Sequence, residues 1–467
     1  MKATNVEEVL GKTEVSIIGI GVTAFNRLGP EIFLPKYRIL CLSYGQDLDM
    51  IEEDIPVFSI ERSGGKFSGL KNSSIIMENE LVQKEIEKIK NPYLLFYMPR
   101  EEIRKVCDKY GWNMIGQVAP EYILNKLVFR KTLENLGIPL IPGEESVLEG
   151  RKYPEFEKKY GSFVVQLPEG SGGKTTWFIR SGEDFEKARI AAQGSKVLIT
   201  KLINGSSPSI TGCVTKYGIV HTNLQYQLLD IYECMNPKVG SGVFCGHDWT
   251  SSDFTEDAER QAYEYIGKVG EYLKSMGYRG IFGLDLVLEK ETQKLYIVEC
   301  NPRLLGSFPI LTMVQEMNGE PHLIAFHIAE FLDMEYDIDV EEVNRKMCRH
   351  KTGAQLVLYN KTGAHSRNRG IVKPGVYVME NDFLAYRRPG YRLSDLKEEG
   401  EFILADDVPF ENSVFKPHER IMRIITLHPM IDKNTYKLNG WAKRVVEKVY
   451  FALEIEPVAA ETSATKS

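Results

Sequence analysis

The chain of 467 residues carries 58 basic and 65 acidic side chains, a formal net charge of -7. That balance excludes the strong positive excess that nucleic-acid or membrane-surface binding requires. A hydrophobic fraction of 43% with 10% aromatics excludes a disordered chain, and the length predicts several domains or subdomains in place of one core.

The elements expected in chain order begin with an apolar strand over 15–21, a second over 38–43 and a third over 93–98. A helix over 78–90 lies between them, which predicts a parallel-sheet α/β domain over 1–115. Gly19 and Gly21 make only half a dinucleotide fingerprint and are read as a strand-ending turn. One helix is expected over 120–137, closed by Gly137 with Pro139 beyond it. Strands over 162–167, 176–180, 196–202, 281–288 and 294–300 alternate with helices over 184–192, 256–276 and 321–332, giving a central domain over 116–335. From about residue 350 short strands and turns lead to a last helix over 438–453. A β-rich subdomain is therefore expected over 336–456, with a disordered tail over 457–467. The first residues, Met1 to Glu8, lack the apolar core of a signal peptide, and no apolar run is long enough to span a bilayer. The seven cysteines are dispersed, with no CxxC pair and no histidine placed beside a thiol by the sequence. Reduced, buried thiols in a cytoplasmic protein are expected, without a zinc site or a Cys-His nucleophile.

The segment from Gly283 to Arg303 carries the clearest chemistry. Two apolar strands joined by a polar turn should pair antiparallel. Glu299 and Asn301, two apart, then share a face. A suitable register brings Asp285 onto it as well. Three oxygen-bearing side chains without thiol or imidazole suit a hard divalent cation, magnesium above all, with manganese as a substitute. Arg303 follows on the same side, where a guanidinium can hold a carboxylate, a phosphate or a developing oxyanion. The plainer reading, incidental acids on a solvent-facing strand, fits less well because Glu299 and Asn301 interrupt an otherwise apolar strand end.

A second segment places Gly170, Ser171, Gly172, Gly173 and Lys174 between two strands. Its Gly-Lys-Thr resembles a phosphate-binding P-loop, but Pro168 stands where that motif needs its first glycine, and the residues after it suit a strand. A flap closing over a triphosphate, or an ordinary glycine-rich hairpin, are the two readings.

In this order, the segments resemble the ATP-grasp superfamily over roughly residues 1–335. The relatives with this layout include biotin carboxylase, carbamoyl phosphate synthetase and the amino-acid and peptide ligases. The resemblance rests most on Asp285, Glu299, Asn301 and Arg303. It implies an ATP-grasp fold, of mixed α/β and α+β class, with a preceding parallel-sheet domain. It further implies that Lys126 reaches ATP phosphate, that the glycine-rich segment covers it, and that the backbone from Lys201 to Ile203 holds adenine. Two positions depart from the family: Gln166 stands where most relatives have a phosphate-binding lysine, and Thr200 where many have a glutamate. Lys126, Lys174 or Lys201 could compensate for Gln166.

The region after 350 faintly resembles the C-terminal subdomain of biotin carboxylase, although no Met-Lys-Met biotin attachment site is present. Its basic clusters, around Arg367 and Arg369, Arg387 and Arg388, and His418, Arg420 and Arg423, suit either solvated turns or the carboxylate of an acidic or peptide-like substrate. The activity implied by the resemblance is ATP-dependent ligation of a carboxylate to an amine through an acyl phosphate, with Asp285, Glu299 and Asn301 on magnesium and Arg303 on the oxyanion. An amino acid or short peptide is the implied substrate, and a homodimer is a common assembly in the superfamily. A bicarbonate-using carboxylase or carbamoyl-phosphate-forming enzyme, a kinase and a non-enzymatic ATP sensor are the alternatives.

Overall fold

In a computed structural model the described residues are 3–65, 71–170, 175–239 and 242–458. Ser171, Gly172, Gly173 and Lys174, and most of the expected tail, lie outside them. The N-terminal sheet is wholly parallel. It contains β1 (Ile17–Gly21), β2 (Arg38–Cys41), β3 (Val57–Ser59), β4 (Tyr93–Phe96) and β5 (Asn113–Ile115), in the spatial order β3-β2-β1-β4-β5. Its central strands are buried on both faces, as Ile17, Ile18, Ile20, Leu94 and Leu95 show, which is why they read as continuous apolar runs. The strand order reverses at β1, and such a reversal opens a crevice beyond the carboxyl ends of the strands. β3 and β5, three residues each, are too short to leave a periodic signal.

Gly19 lies inside β1 and Gly21 is its last residue. A Cβ on Gly19 would collide with Tyr37 Oη and Arg27 Cβ, and one on Gly21 would stand 2.8 Å from Arg27 Cγ. They clear space for the Arg27 stem.

A four-stranded antiparallel sheet follows: β6 (Gly143–Val147), β7 (Phe163–Gln166), β8 (Thr176–Ile179) and β9 (Lys196–Lys201), ordered β6-β9-β7-β8. Phe156, Phe163, Phe185, Val197 and Ile199 give it a separate core.

The largest sheet has twelve strands. They are β10 (Gly205–Ser206), β11 (Pro208–Thr215), β12 (Gly218–His221), β13 (Gln225–Leu229), β14 (Phe244–Asp248), β15 (Gly280–Glu289), β16 (Leu295–Asn301), β17 (Ala354–Tyr359), β18 (Gly375–Glu380), β19 (Phe383–Arg388), β20 (Phe402–Ala405) and β21 (Arg420–Thr426). The main path runs β10-β15-β11-β13-β14-β17-β21-β20-β18-β19, with β16 on β15 and β12 on β11. The β14–β17 ladder, Gly246 opposite Leu356, carries this sheet across residue 335, the expected end of the central domain.

Beneath β15 and β16 lies the helix Glu256–Ser275. Thr255 Oγ1 caps it by accepting from Ala258 N at 3.2 Å, and three acids occupy its first turn, where they complement the helix dipole. Its stripe of Ala262, Ile266, Val269 and Leu273 packs with Leu284, Leu286, Leu288 and Ile297. Burying one face of each strand there leaves Asp285 and Glu299 on the other. Among the described residues no helix is long and apolar enough to cross a membrane.

The single helix expected over 120–137 is instead two, Glu121–Leu124 and Lys126–Asn135. Asn125 is extended between them (φ -79, ψ 109), and its side chain caps the second helix by accepting from Leu127 N and Val128 N. Periodicity could not show the break, because the apolar residues keep helical spacing across it. Gly137 sits just past the end with φ +65, as expected for a left-handed terminator.

Candidate active site

Asp285 and Glu299 are direct cross-strand partners on β15 and β16, and Asn301 faces Gly283; the register shifts immediately beyond Asp285. That irregularity lets Val298 slip and keeps both acids on the open face. Asn301 Nδ2 donates to Asp285 Oδ2 at 2.8 Å and to Glu299 Oε1 at 3.2 Å, while Gln227 Nε2, from β13, donates to Asp285 Oδ1 at 3.3 Å. Burial and then the facing Glu299 carboxylate push the Asp285 carboxyl up to about 7, against the pull of Arg303. Two carboxylates pressed together raise each other's cost of ionisation, and a hard divalent cation relieves that cost. The two acids fit magnesium, which retains waters and phosphate oxygens as further ligands; Asn301 turns its Nδ2 to them and its Oδ1 to Arg303, so it would serve as an oxygen ligand with its amide turned over. Among the described residues there is no group of three or more His, Cys, Asp or Glu side chains that could hold a metal ion.

The broken helix brings Lys126 to this face. Its backbone N–H donates to Pro168 O at 2.8 Å, and its Nζ lies 3.4 Å from Gly170 O and 3.6 Å from Glu299 Oε2. One lysine thereby ties the root of the glycine-rich segment to the acidic strands. Gln166 is buried at the end of β7, donating from Nε2 to Thr176 Oγ1 at 3.3 Å. Thr200 is buried opposite Gly143 and Val164. Lys201 N and Leu202 N are held by Pro142 O (2.8 Å) and Ser162 O (3.0 Å), so the turn from Lys201 to Ile203 is fixed at its start. The Lys201 Nζ lies 3.8 Å from Glu289, toward the opposite end of β15 from Asp285. Of the lysines that could offset Gln166, Lys126 stands beside the acids.

Arg303 donates from Nη2 to Asn301 Oδ1 at 2.8 Å and from Nη1 to Tyr97 Oη at 2.7 Å and Leu304 O at 2.9 Å. Its guanidinium also lies 5.0 Å from the centre of the Tyr97 ring. Tyr97 immediately follows β4, at the crevice that the strand order opens. It borders a cavity of about 870 Å³ lined by both the N-terminal sheet's loops and the C-terminal strands. Neither Tyr97 nor Gln227 was singled out by sequence. The strand expected over 93–98 took in Tyr97 and so hid its place past the end of β4; Gln227 had no signal, because the region between 203 and 256 carried no recognised motif.

The C-terminal clusters separate. Arg388 meets Glu401 in a two-pronged pair at 2.7 Å on each side, Arg387 pairs with Glu380, and Arg369 is held by Glu456 and, at 2.8 Å, Asn412. Only His418, Arg420 and Arg423 among them line the cavity. One expectation needs correction: His221 Nδ1 does come within 3.5 Å of Cys348 Sγ. The contact joins residues 127 apart, which no local spacing could reveal. Burial drives the Cys348 thiol up to about 12 and the His221 imidazole down, so the pair is a neutral packing contact and no nucleophile. The other six thiols are buried and unpaired.

Residues 123–307 match the family profile described as the ATP-grasp domain. The chain is 27% identical over 195 residues to a [butirosin acyl-carrier protein]–L-glutamate ligase of Niallia circulans, covering 40% of this chain and 45% of that one. It is 24% identical over 283 residues to the carbamoyl phosphate synthase large chain of Pyrococcus furiosus, covering 56% and 25%. The match thus spans less than half the length of either relative. Among solved structures, the biotin carboxylase of Campylobacter jejuni in complex with an ATP analogue superposes with a TM-score of 0.58 at 14% identity, over 89% of this chain and 88% of that one.

Proposed function

From its place in the ATP-grasp superfamily, we propose that this ATP-dependent enzyme is a carboxylate–amine ligase, forming an amide or peptide bond with release of ADP and phosphate. The observation that supports it most is the grouping of Asp285, Glu299, Asn301 and Arg303, with Arg303 hydrogen-bonded to Tyr97 on the wall of a cavity of about 870 Å³. ATP would lie between the four-stranded sheet and the β15–β16 pair, with Lys126 and the glycine-rich segment from Gly170 to Lys174 on its phosphates. Gln166 would hydrogen-bond there without adding charge, while Thr200 and the Lys201–Ile203 backbone would border adenine. Magnesium, or manganese, bound by Asp285, Glu299 and Asn301 would neutralise phosphate charge.

A carboxylate oxygen attacks the γ-phosphorus, the bond to the bridging oxygen breaks, and ADP leaves. The amine then attacks the acyl carbon, its proton passes to solvent, and phosphate departs as the carbon–oxygen bond breaks. Arg303 steadies the tetrahedral oxyanion between those events. Nothing in this sequence needs a side-chain nucleophile; positioning and preorganised charge carry it. The chain would divide into a preceding α/β domain over 1–115, a nucleotide-binding and catalytic domain over 116–335 and a β-rich subdomain with the final helix over 336–456.

The test is phosphate release from ATP and magnesium across pooled amino acids, short peptides, dicarboxylic acids and bicarbonate, with mass spectrometry of products. Release requiring both a carboxylate and an amine, with a new amide mass absent in Asp285→Ala/Glu299→Ala, supports the ligase. Release stimulated by bicarbonate alone would replace it with a carboxylase or carbamoyl-phosphate-forming reaction. ATP binding without any stimulated turnover would favour a sensor, the reading that Gln166 and Thr200 motivate.

A further inference from the structure

The cavity beside Tyr97 carries a corner that the ligase chemistry leaves unexplained. Arg27, from the loop after β1, meets Arg420 and Arg423 of β21 there. Arg423 is engaged, donating from Nε to Asp406 Oδ2 at 2.7 Å and from Nη2 to Asn26 Oδ1 at 2.9 Å, with Nη1 against Gln355. Arg420 also pairs with Asp406, but its Nε is buried without a hydrogen-bond partner. Arg27 is 5% exposed; it donates from Nε to Ile20 O at 2.9 Å, and no described residue accepts from its Nη groups. His418 Nδ1, on the same wall, is likewise buried without a partner.

Among the described residues Asp406 alone places a carboxylate on these guanidiniums, and it already accepts from Thr23 Oγ1 at 2.7 Å. Two further acids line the cavity without balancing the corner. Glu419 pairs with Lys71 at 3.2 Å, and burial followed by Asp47 pushes the Asp407 carboxyl up to about 7. Burial also lowers Arg27 and Arg423 to about 10, and burial together with Arg423 lowers Arg420 well below its ordinary range. A folded chain ordinarily pairs buried guanidiniums fully. Here two of the three share one carboxylate, Arg27 pairs with none among the described residues, and all three line the open volume.

The corner is also close to the reacting end. Arg27 and Arg303 lie 5.8 Å and 5.0 Å from the centre of the same Tyr97 ring. We propose that the Arg27–Arg420–Arg423 corner binds a second anionic group, carboxylate or phosphate, on the small substrate whose reacting carboxylate lies at Arg303. This assignment rests on the ligase reading for which end reacts, but the anion site itself does not depend on it.

Calorimetric titration of the full chain with two probes, glutarate and inorganic phosphate, tests it. Saturable binding to one site is expected, with the two probes competing. Glutarate binding more tightly points to a dicarboxylate substrate, and phosphate binding more tightly to a phosphorylated one. Arg420→Gln should weaken the better probe by about tenfold or more, with Arg420→Lys recovering part of the loss. Asp285→Ala should leave probe binding intact. Should Arg420→Gln fail to fold, the Arg27→Gln and Arg27→Lys pair gives the same readout. Absence of binding by both probes, or unchanged binding in the glutamine variants, overturns the proposal. Probe binding without amide formation would remove the ligase reading and keep the anion site. Amide formation with singly charged carboxylates as efficient as with dianions would do the reverse.

Discussion

Two clusters of like charge lie on either side of Tyr97 and Arg303: the half-buried acids Asp285 and Glu299 on one side, and buried Arg27 and Arg423 with half-buried Arg420 on the other. They were built in opposite ways. The acids come from one hairpin, 14 residues apart and opposite each other in register. The arginines come from the two ends of the chain, Arg27 just after β1 of the parallel sheet and Arg420 and Arg423 on β21 of the large one. Each cluster is short of opposite charge, and on the proposed function the first would receive a cation and the second an anion.

The comparison breaks most easily at the acids. Asp285→Ala or Glu299→Ala is expected to lower phosphate-release turnover by ~10²–10³ or more, and Arg303→Ala by a similar ~10²–10³ in kcat. An Arg303→Ala enzyme with near-normal kcat would end its part in steadying charge. A smaller effect belongs to Lys126→Met. It removes one charge-assisted contact to phosphate, so the KM for ATP should rise by roughly tenfold, about 1.4 kcal/mol, in steady-state assays. If Lys126 compensates for Gln166, then Gln166→Lys restores much of that loss in the double variant.

The arginine corner sharpens the contrast through stability. Arg420→Gln relieves like-charge repulsion in the ligand-free protein, so its thermal midpoint should stand at or above that of the wild type, the pattern of a site held ready at the expense of fold stability. A clear fall in midpoint would make the arginine structural. The smallest effect lies outside both clusters, at Arg388–Glu401, where the charges are matched. Arg388 holds the Glu401 carboxyl down at about 2, below its ordinary 4.5. The unfolded chain therefore binds the extra proton between those values. The pair's contribution is complete above about 4.5 and is lost as pH falls through about 2. Glu401→Gln should flatten that part of the urea-midpoint profile measured from pH 2 to 6.

The difference in construction also explains what the sequence could disclose. Asp285, Glu299 and Asn301 were legible because strand alternation and one polar turn fix their faces within a short segment. The parallel sheet was legible from its apolar runs, and Gly137 from its place after a periodic helix. The break at Asn125 was hidden because its cap competes with a helical pattern that is otherwise unbroken. Arg27 was hidden behind two glycines that resembled a turn, and only the folded chain shows that they make room for its stem. The cluster around Arg420 was visible as basic residues, but nothing local separated it from Arg388, whose partner is 13 residues away. Pairings set by sheet order across hundreds of residues leave no period to read.

The uninterrupted ladder from β10 to β19 has a mechanical consequence. Acids, Arg303 and the β21 arginines are anchored to one hydrogen-bonded plate, which acts as a ruler fixing the span from metal strand to anion corner. The four-stranded sheet has its own core and, among the described residues, no ladder to that plate, so it is the piece that could shift as a unit. On the proposed function, nucleotide would be gripped and released without disturbing the gauge against which the substrate's length is measured.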